Sequence, residues 1–226
     1  RAESLRVDHL VHVSREGSRG PYLVDLAKES GLVVTDMVDL QPWKKWAEKV
    51  SEVCCLIEVD SHCVLPRPVF GKSLDRPFKF RKATDDQMRA RVGRNWPIVR
   101  EEVRRMPESW TPPFDPVDVR LELSKDGGAE LLSKCEIDPT IVAVTGVTGG
   151  SSYAIEHWEN WCDSGIRSYH MKRNNAALSD GVSRMSPWIH YGMISTTRMV
   201  RDASSIGGKG AEKFLDEMLV FREHAQ

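Results

Sequence analysis

The chain has 226 residues, of which 40% are hydrophobic and 29% charged, a composition typical of a globular protein that buries a core. Its 32 basic and 33 acidic residues give a net charge of −1, which predicts no general electrostatic attraction to nucleic acid. The sequence has neither a membrane-length apolar run nor a signal-peptide pattern, so we expect a non-secreted intracellular protein, with nucleus, cytoplasm and organelle all open.

The first hundred residues alternate between strand-like and helix-like patterns. Strand patterns occupy residues 9–14, 32–38 and 54–61, and helix patterns occupy residues 20–30 and 42–53. This order predicts a parallel sheet flanked by helices, an incomplete Rossmann-like α/β domain over residues 1–106. No glycine-rich fingerprint follows a strand, so this domain is not predicted to bind a dinucleotide in the usual way.

The remaining patterns predict two more regions. Thr84 and Gln87 form a capping-box pair that predicts a helix starting at Thr84, and a further helix pattern covers residues 96–106. Residues 107–148 are rich in proline and glycine, which predicts a connector between domains. Residues 149–226 have only helical patterns and are expected to form part of an all-α domain.

The five cysteines predict neither a disulfide framework nor a metal site. Their number is odd, there is no CxxC pair, and no cysteine or histidine pair has the spacing of zinc ligands. The chain opens without methionine and ends inside a helix pattern, from which we expect it to be a piece of a longer protein.

Serines in the C-terminal part stand where helices are expected to start. Ser183, Ser186 and Ser195 are all candidate N-caps, and Ser186 is followed by proline, which is favoured in the first helical turn. Helix starts present free N–H groups to anions, and Arg184 adds a fixed positive charge between two of the serines. The pattern suits a phosphate group, although serines also cap helices in proteins that bind none.

Residues 149–195 resemble the flavin-binding region of the DNA photolyase/cryptochrome family. The resemblance rests on Gly149, Gly150, Ala154, Trp158, Trp161, Gly165, Tyr169, Arg173 and Asn174, followed by GVSRMSPWIHYGMIS, and it resumes in FLDEMLVFREHA at 214–225. The run VVTDMVDLQPWKKWAEKV and the later IEVDSHCVLPRP are similar to class II photolyases that repair cyclobutane pyrimidine dimers. Cys63 stands where asparagine is usual, and Phe221 replaces one of two arginines.

The resemblance implies an FAD that is reduced in the active state, with a second antenna pigment left open. It implies that Tyr169, Ser183, Arg184, Met185, Ser186 and Phe214 contact the cofactor, that Glu217 is the catalytic glutamate that hydrogen-bonds the dimer, and that Arg222 contacts DNA. The implied partner is damaged DNA, the implied reaction is light-driven dimer splitting (a carbon–carbon lyase), and a monomer without membrane attachment is expected.

Two other interpretations stay open at this point. A cryptochrome-type light sensor has the same fold without repair, and a degenerate module would keep the packing without the flavin pocket. For the chain alone we expect poor FAD binding and no repair, because the family's remaining helices supply the other flavin contacts. Tyr169, Arg173 and Glu217 also have purely structural interpretations, as a packed phenol, an internal ion pair and a solvated acid.

Overall fold

The computed structural model describes residues 7–94 and 105–226, in which short helices outnumber strands. The predicted helix at 96–106 lies almost wholly outside these residues. The elements up to residue 94 are α1 (Tyr22–Lys28), β1 (Val33–Asp36), α2 (Trp43–Ser51), β2 (Leu56–Val59), α3 (Arg67–Phe70) and α4 (Pro77–Val92). The later elements are α5 (Val119–Asp126), α6 (Ala129–Ser133), α7 (Ser151–Ser164), α8 (Tyr169–Lys172), α9 (Ser186–His190), α10 (Thr196–Ile206), α11 (Gly208–Asp216) and a π-helical segment (Glu217–Arg222).

Contacts divide the chain into two compact units, each built from two stretches of sequence. Unit 1 comprises residues 1–59 and 97–144, and unit 2 comprises residues 60–96 and 145–226. This division differs from the predicted boundaries at 106 and 148. The segment that carries α3 and α4 groups with the C-terminal helices, and most of the predicted connector, including α5 and α6, groups with unit 1.

Unit 1 contains the parallel pairing that the sequence predicts. β1 and β2 pair in parallel, with Val33 opposite Leu56 and Asp36 opposite Val59. The helix between them, α2, is amphipathic and turns Val50 into the interior, where this side chain is 2% exposed. The predicted strand at 9–14 is absent from the structure; the carbonyl of Val11 accepts a hydrogen bond from the amide of Val117 instead of joining the sheet.

Unit 2 has a single core to which α4 and the C-terminal helices both contribute. Phe80 and Met88 on α4 belong to the same buried cluster as Trp158 on α7, Met199 on α10 and Phe214 on α11. The predicted helix start at Thr84 is wrong. α4 begins at Pro77, whose fixed φ suits the first turn, and Thr84 lies inside the helix, where its hydroxyl donates to the carbonyl of Phe80 at 2.8 Å.

One close approach fixes α11 against the segment before α8. A Cβ added at Gly210 would lie 2.0 Å from the carbonyl oxygen of Ile166 and 2.4 Å from that of Arg167. Only glycine permits this contact, which brings α11 next to the start of α8 and so places Phe214 beside Tyr169. Within residues 7–94 and 105–226, no helix combines the length and apolar character needed to cross a membrane.

Candidate functional site

Tyr169 and Phe214 lie in a buried aromatic cluster at the centre of unit 2. Their ring centroids are 5.8 Å apart, and Trp161 on α7 contacts both, at 5.6 Å from Tyr169 and 5.3 Å from Phe214. Trp158 extends the cluster, and its indole N–H donates to Asp202 at 2.9 Å. Aromatic pairs at these distances stabilise the fold beyond simple burial, so the cluster holds Tyr169 in one position.

An ion-pair network surrounds the phenol of Tyr169. Glu217 binds Arg173 at 2.9 Å and Lys213 at 2.8 Å, and the charges of Arg173 and Glu217 both act on the phenol. Burial and the nearby Glu217 carboxylate raise the pKa of Tyr169, although Arg173 acts in the opposite direction. The phenol therefore remains a neutral hydrogen-bond donor in the physiological pH range, and the predicted catalytic acid is neutralised by two cations.

Residues 183–185 form a loop that leads into Ser186, the first residue of α9; these four residues, here called the 183–186 loop, are anchored to α7. The carbonyl of Ser183 accepts a hydrogen bond from Nε2 of His157 at 2.9 Å, and the side chain of Met185 is 1% exposed in the core. Arg184 has a φ of +53°, in the left-handed region, and its Nε donates to the carbonyl of Ser179 at 3.2 Å. Three contacts thus fix a conformation that a non-glycine residue rarely adopts.

The predicted serine caps divide into one that forms and two that do not. Ser195 caps α10, and its hydroxyl accepts from the amide of Arg198 at 3.4 Å. Ser186 is the first residue of α9, where Met185 holds the cap position without a side-chain bond, and Ser183 lies further upstream in the loop. Because α9 has only five residues, its dipole contributes little, and anion binding at this place would depend on the loop itself.

Arg222, the predicted DNA contact, is engaged inside unit 2. Its guanidinium donates to the carbonyl of His62 at 2.9 Å and lies 3.4 Å from the carboxylate of Glu223, with 21% of the side chain exposed. A groove of about 1020 Å³ runs along α4, α10 and α11, and none of the predicted site residues lines it. No cluster of three or more metal-ligating side chains occurs in the described parts of the chain.

The structure therefore brings together three predicted residues, Tyr169, Phe214 and Glu217, while the 183–186 loop forms a second group. No hydrogen bond or ring contact joins the two groups among the described residues, but α7 touches both, through Trp161 and through His157. Sequence reasoning missed Lys213 and His157. The spacing of Lys213 and Glu217 at i and i+4 could have indicated their pairing, whereas nothing in the sequence marks His157.

No protein-family model matches the chain, and no curated protein matches it by sequence. Among solved structures, the cryptochrome of Synechocystis sp. PCC6803 is similar, with a TM-score of 0.59 and 13% sequence identity. The similarity covers 90% of this chain and 43% of that chain, so the chain spans less than half the length of the cryptochrome. At this identity the similarity concerns the fold, and the chain has a photolyase/cryptochrome-like fold.

Proposed function

We propose that this chain is part of a photolyase-like flavoprotein, with unit 2 contributing one side of an FAD site. The observation that carries the proposal is the fold, which is similar to a cryptochrome over 90% of the chain. The motifs that resemble the family's flavin-binding region all lie in unit 2. They include Tyr169, Phe214 and Glu217, which the fold gathers around one buried aromatic cluster.

The 183–186 loop has a backbone suited to the diphosphate of such a cofactor. The backbone of Arg184 lies in the left-handed region, with a φ of 53°. The backbone of Met185 lies in the right-handed helical region, with a φ of −74° and a ψ of −7°. Successive residues of opposite hand turn consecutive N–H groups towards one point, an arrangement that binds anions. Among the described residues, the amides of Arg184 and Met185 have no backbone acceptor, and the hydroxyls of Ser183 and Ser186 flank them. The loop therefore fits a phosphate group.

Tyr169 and Glu217, which lie in the group around the aromatic cluster, would also contact the cofactor. The phenol is a neutral donor that can bind a phosphate oxygen, and Arg173 beside it adds positive charge. Glu217 would share its carboxylate between Lys213, Arg173 and an amino group of the adenine or of the lesion. FAD, when bound, supplies light absorption and electron transfer; these residues bind and orient it.

For the complete protein we propose light-driven repair of cyclobutane pyrimidine dimers in DNA. The resemblance of FLDEMLVFREHA to the class II photolyase helix, with an acid at Glu217, supports this activity. The lesion would be turned out of the duplex to reach the flavin. A light-sensing role without repair is the second candidate, because the similar solved structure is a cryptochrome.

The test titrates the purified chain with FAD and follows the visible spectrum of the flavin. We expect a low affinity for FAD, so that the purified chain carries far less than one flavin per molecule. The affinity should be lower still in Tyr169→Phe and Ser183→Ala. Ser195→Ala is the matched control, because this serine caps α10 and lies outside the proposed site. If none of these variants changes the FAD affinity, the proposed site is wrong.

Repair is tested separately, on the full-length protein under light with DNA that contains dimers. Light-dependent loss of dimers with the wild type, together with poor repair by a Glu217→Gln variant, would support the lyase. FAD binding without repair in the wild type would favour the light sensor. A wild type that neither binds FAD nor repairs dimers would favour a degenerate module.

A further inference from the structure

His157 makes two contacts that no predicted role accounts for. Its Nε2 lies 2.9 Å from the carbonyl oxygen of Ser183, and its ring lies against the indole of Trp188, with centroids 4.7 Å apart and planes inclined by 33°. Trp188 in turn donates its indole N–H to the carbonyl of Thr148 at 2.9 Å. The imidazole is therefore held on two sides, by a hydrogen bond and by a ring that is itself anchored.

The bond to Ser183 has a defined direction. A carbonyl oxygen can only accept, so Nε2 must carry the proton, and the neutral ring must be the Nε2–H tautomer. Ser183 immediately precedes Arg184, whose φ of +53° costs free energy for a residue with a Cβ. A strained residue persists only where its surroundings hold it, and His157 holds the peptide that leads into it.

We propose that His157 is a positioning residue for the 183–186 loop: by donating to the carbonyl of Ser183 it keeps Arg184 left-handed and its neighbouring N–H groups aimed at one point. This rests on the proposed function, since it is the flavin diphosphate that the aimed N–H groups would bind. His157 touches no part of the ligand in this scheme. Its effect on phosphate binding passes entirely through the backbone of residues 183–185.

The competing explanation is that His157 only fills space against Trp188. The two explanations differ in what a substitution does. Phenylalanine at 157 keeps the ring contact and removes the donor, whereas glutamine places an amide N–H near the position of Nε2 and removes the ring. If His157 positions the loop, His157→Phe disturbs the loop and His157→Gln restores it; if it only packs, the order is reversed.

The experiment uses NMR on the isotope-labelled chain. Backbone ¹⁵N relaxation reports the rigidity of residues 183–185, and titration with inorganic pyrophosphate and then with FAD reports ligand contact at the same amides. We expect rigid amides in the wild type and in His157→Gln, and amides with order parameters below about 0.6 in His157→Phe. The apparent affinity for FAD should fall about fivefold to tenfold in His157→Phe, as for the loss of one hydrogen bond. His190→Phe, on the exposed face of α9, is the matched control.

Two outcomes overturn the positioning role. One is an unchanged loop in His157→Phe together with a disturbed loop in His157→Gln. The other is visible in the wild type alone and needs no variant to fold: imidazole ¹⁵N shifts that show the Nδ1–H tautomer exclude the bond to Ser183. If the loop responds to His157 as expected but neither pyrophosphate nor FAD shifts its amides, the positioning role stands and the flavin assignment fails.

Discussion

Glu223 is a buried acid that joins the last helix to residues 64 and 65, and it makes stability depend on pH. Its side chain is 1% exposed, and its carboxylate oxygens accept from the amides of Val64 at 2.9 Å and Leu65 at 3.2 Å. Burial raises the pKa of Glu223 to about 7, although the two amides and Arg222 act in the opposite direction. Asp60 adds a smaller upward effect on this pKa.

The size of the effect follows from the difference between folded and unfolded chains. The folded pKa of about 7 lies roughly 2.5 above the value of 4.5 for an unburied glutamate, which corresponds to about 3 kcal/mol. The folded state binds the proton of the Glu223 carboxyl group more tightly than the unfolded state does. The folded state is therefore favoured most over the unfolded state at pH values below 4.5. That advantage is lost as the pH rises from 4.5 through 7, and above pH 7 the full cost of the buried charge is present.

The assay compares Glu223→Gln with the wild type in chemical denaturation between pH 4.5 and pH 8. Glutamine does not titrate, so the free energy of unfolding of the wild type minus that of the variant should fall by about 3 kcal/mol over this range. Contributions from all other titrating groups are common to both proteins and cancel. Glu212→Gln, an exposed acid on α11, is the control and should leave the pH dependence of the wild type unchanged.

The reasoning would be refuted if the free energy of unfolding of the wild type minus that of Glu223→Gln stayed constant with pH or rose with pH. The first result would mean that the two amide donors offset the desolvation of Glu223 completely, and the second that they exceed it. A direct titration of the Glu223 carboxyl carbon by NMR decides independently, with a midpoint near 7 expected.

Three further predictions concern packing and reactivity. Gly210→Ala should lower the free energy of unfolding by about 1–3 kcal/mol, because the new Cβ would lie 2.0 Å from the carbonyl oxygen of Ile166; denaturant unfolding measures this. Phe214→Ala should cost about 3–5 kcal/mol in the same assay, since this ring is 4% exposed among three other aromatic rings. Cys63, whose pKa burial raises to about 12, should resist alkylation at pH 8 under conditions in which the exposed Cys55 reacts.

Controls and contrary results are available for each of these. Gly149→Ala places its Cβ in ordinary contact with Met193, at 3.5 Å, and should be tolerated; equal costs at both glycines would contradict the close approach at Gly210. Phe214→Leu should cost clearly less than Phe214→Ala. Labelling of Cys63 as fast as Cys55 in the folded chain would show that its burial is incomplete.

The sequence by itself determined the elements whose signals are local. Helical periodicity predicted α1, α2 and α7, strand patterns separated by a helix pattern predicted the parallel pair β1 and β2, and Ser195 marked the start of α10. These succeed because a cap or a periodic face acts within one or two turns of the chain. The same local reasoning failed at Thr84, where the capping-box pattern predicted a helix start. The helix begins at Pro77 instead, seven residues earlier.

Only the tertiary structure decided which of the candidate residues meet. Three interactions link positions from 26 to 159 residues apart. They are the ion pair of Glu217 with Arg173, the hydrogen bond between His157 and Ser183, and the hydrogen bonds that Glu223 accepts from the amides of Val64 and Leu65. Such contacts depend on how helices pack, and no local pattern encodes them. The left-handed Arg184 belongs with them, because the free energy that holds a strained residue comes from its neighbours in space rather than in sequence.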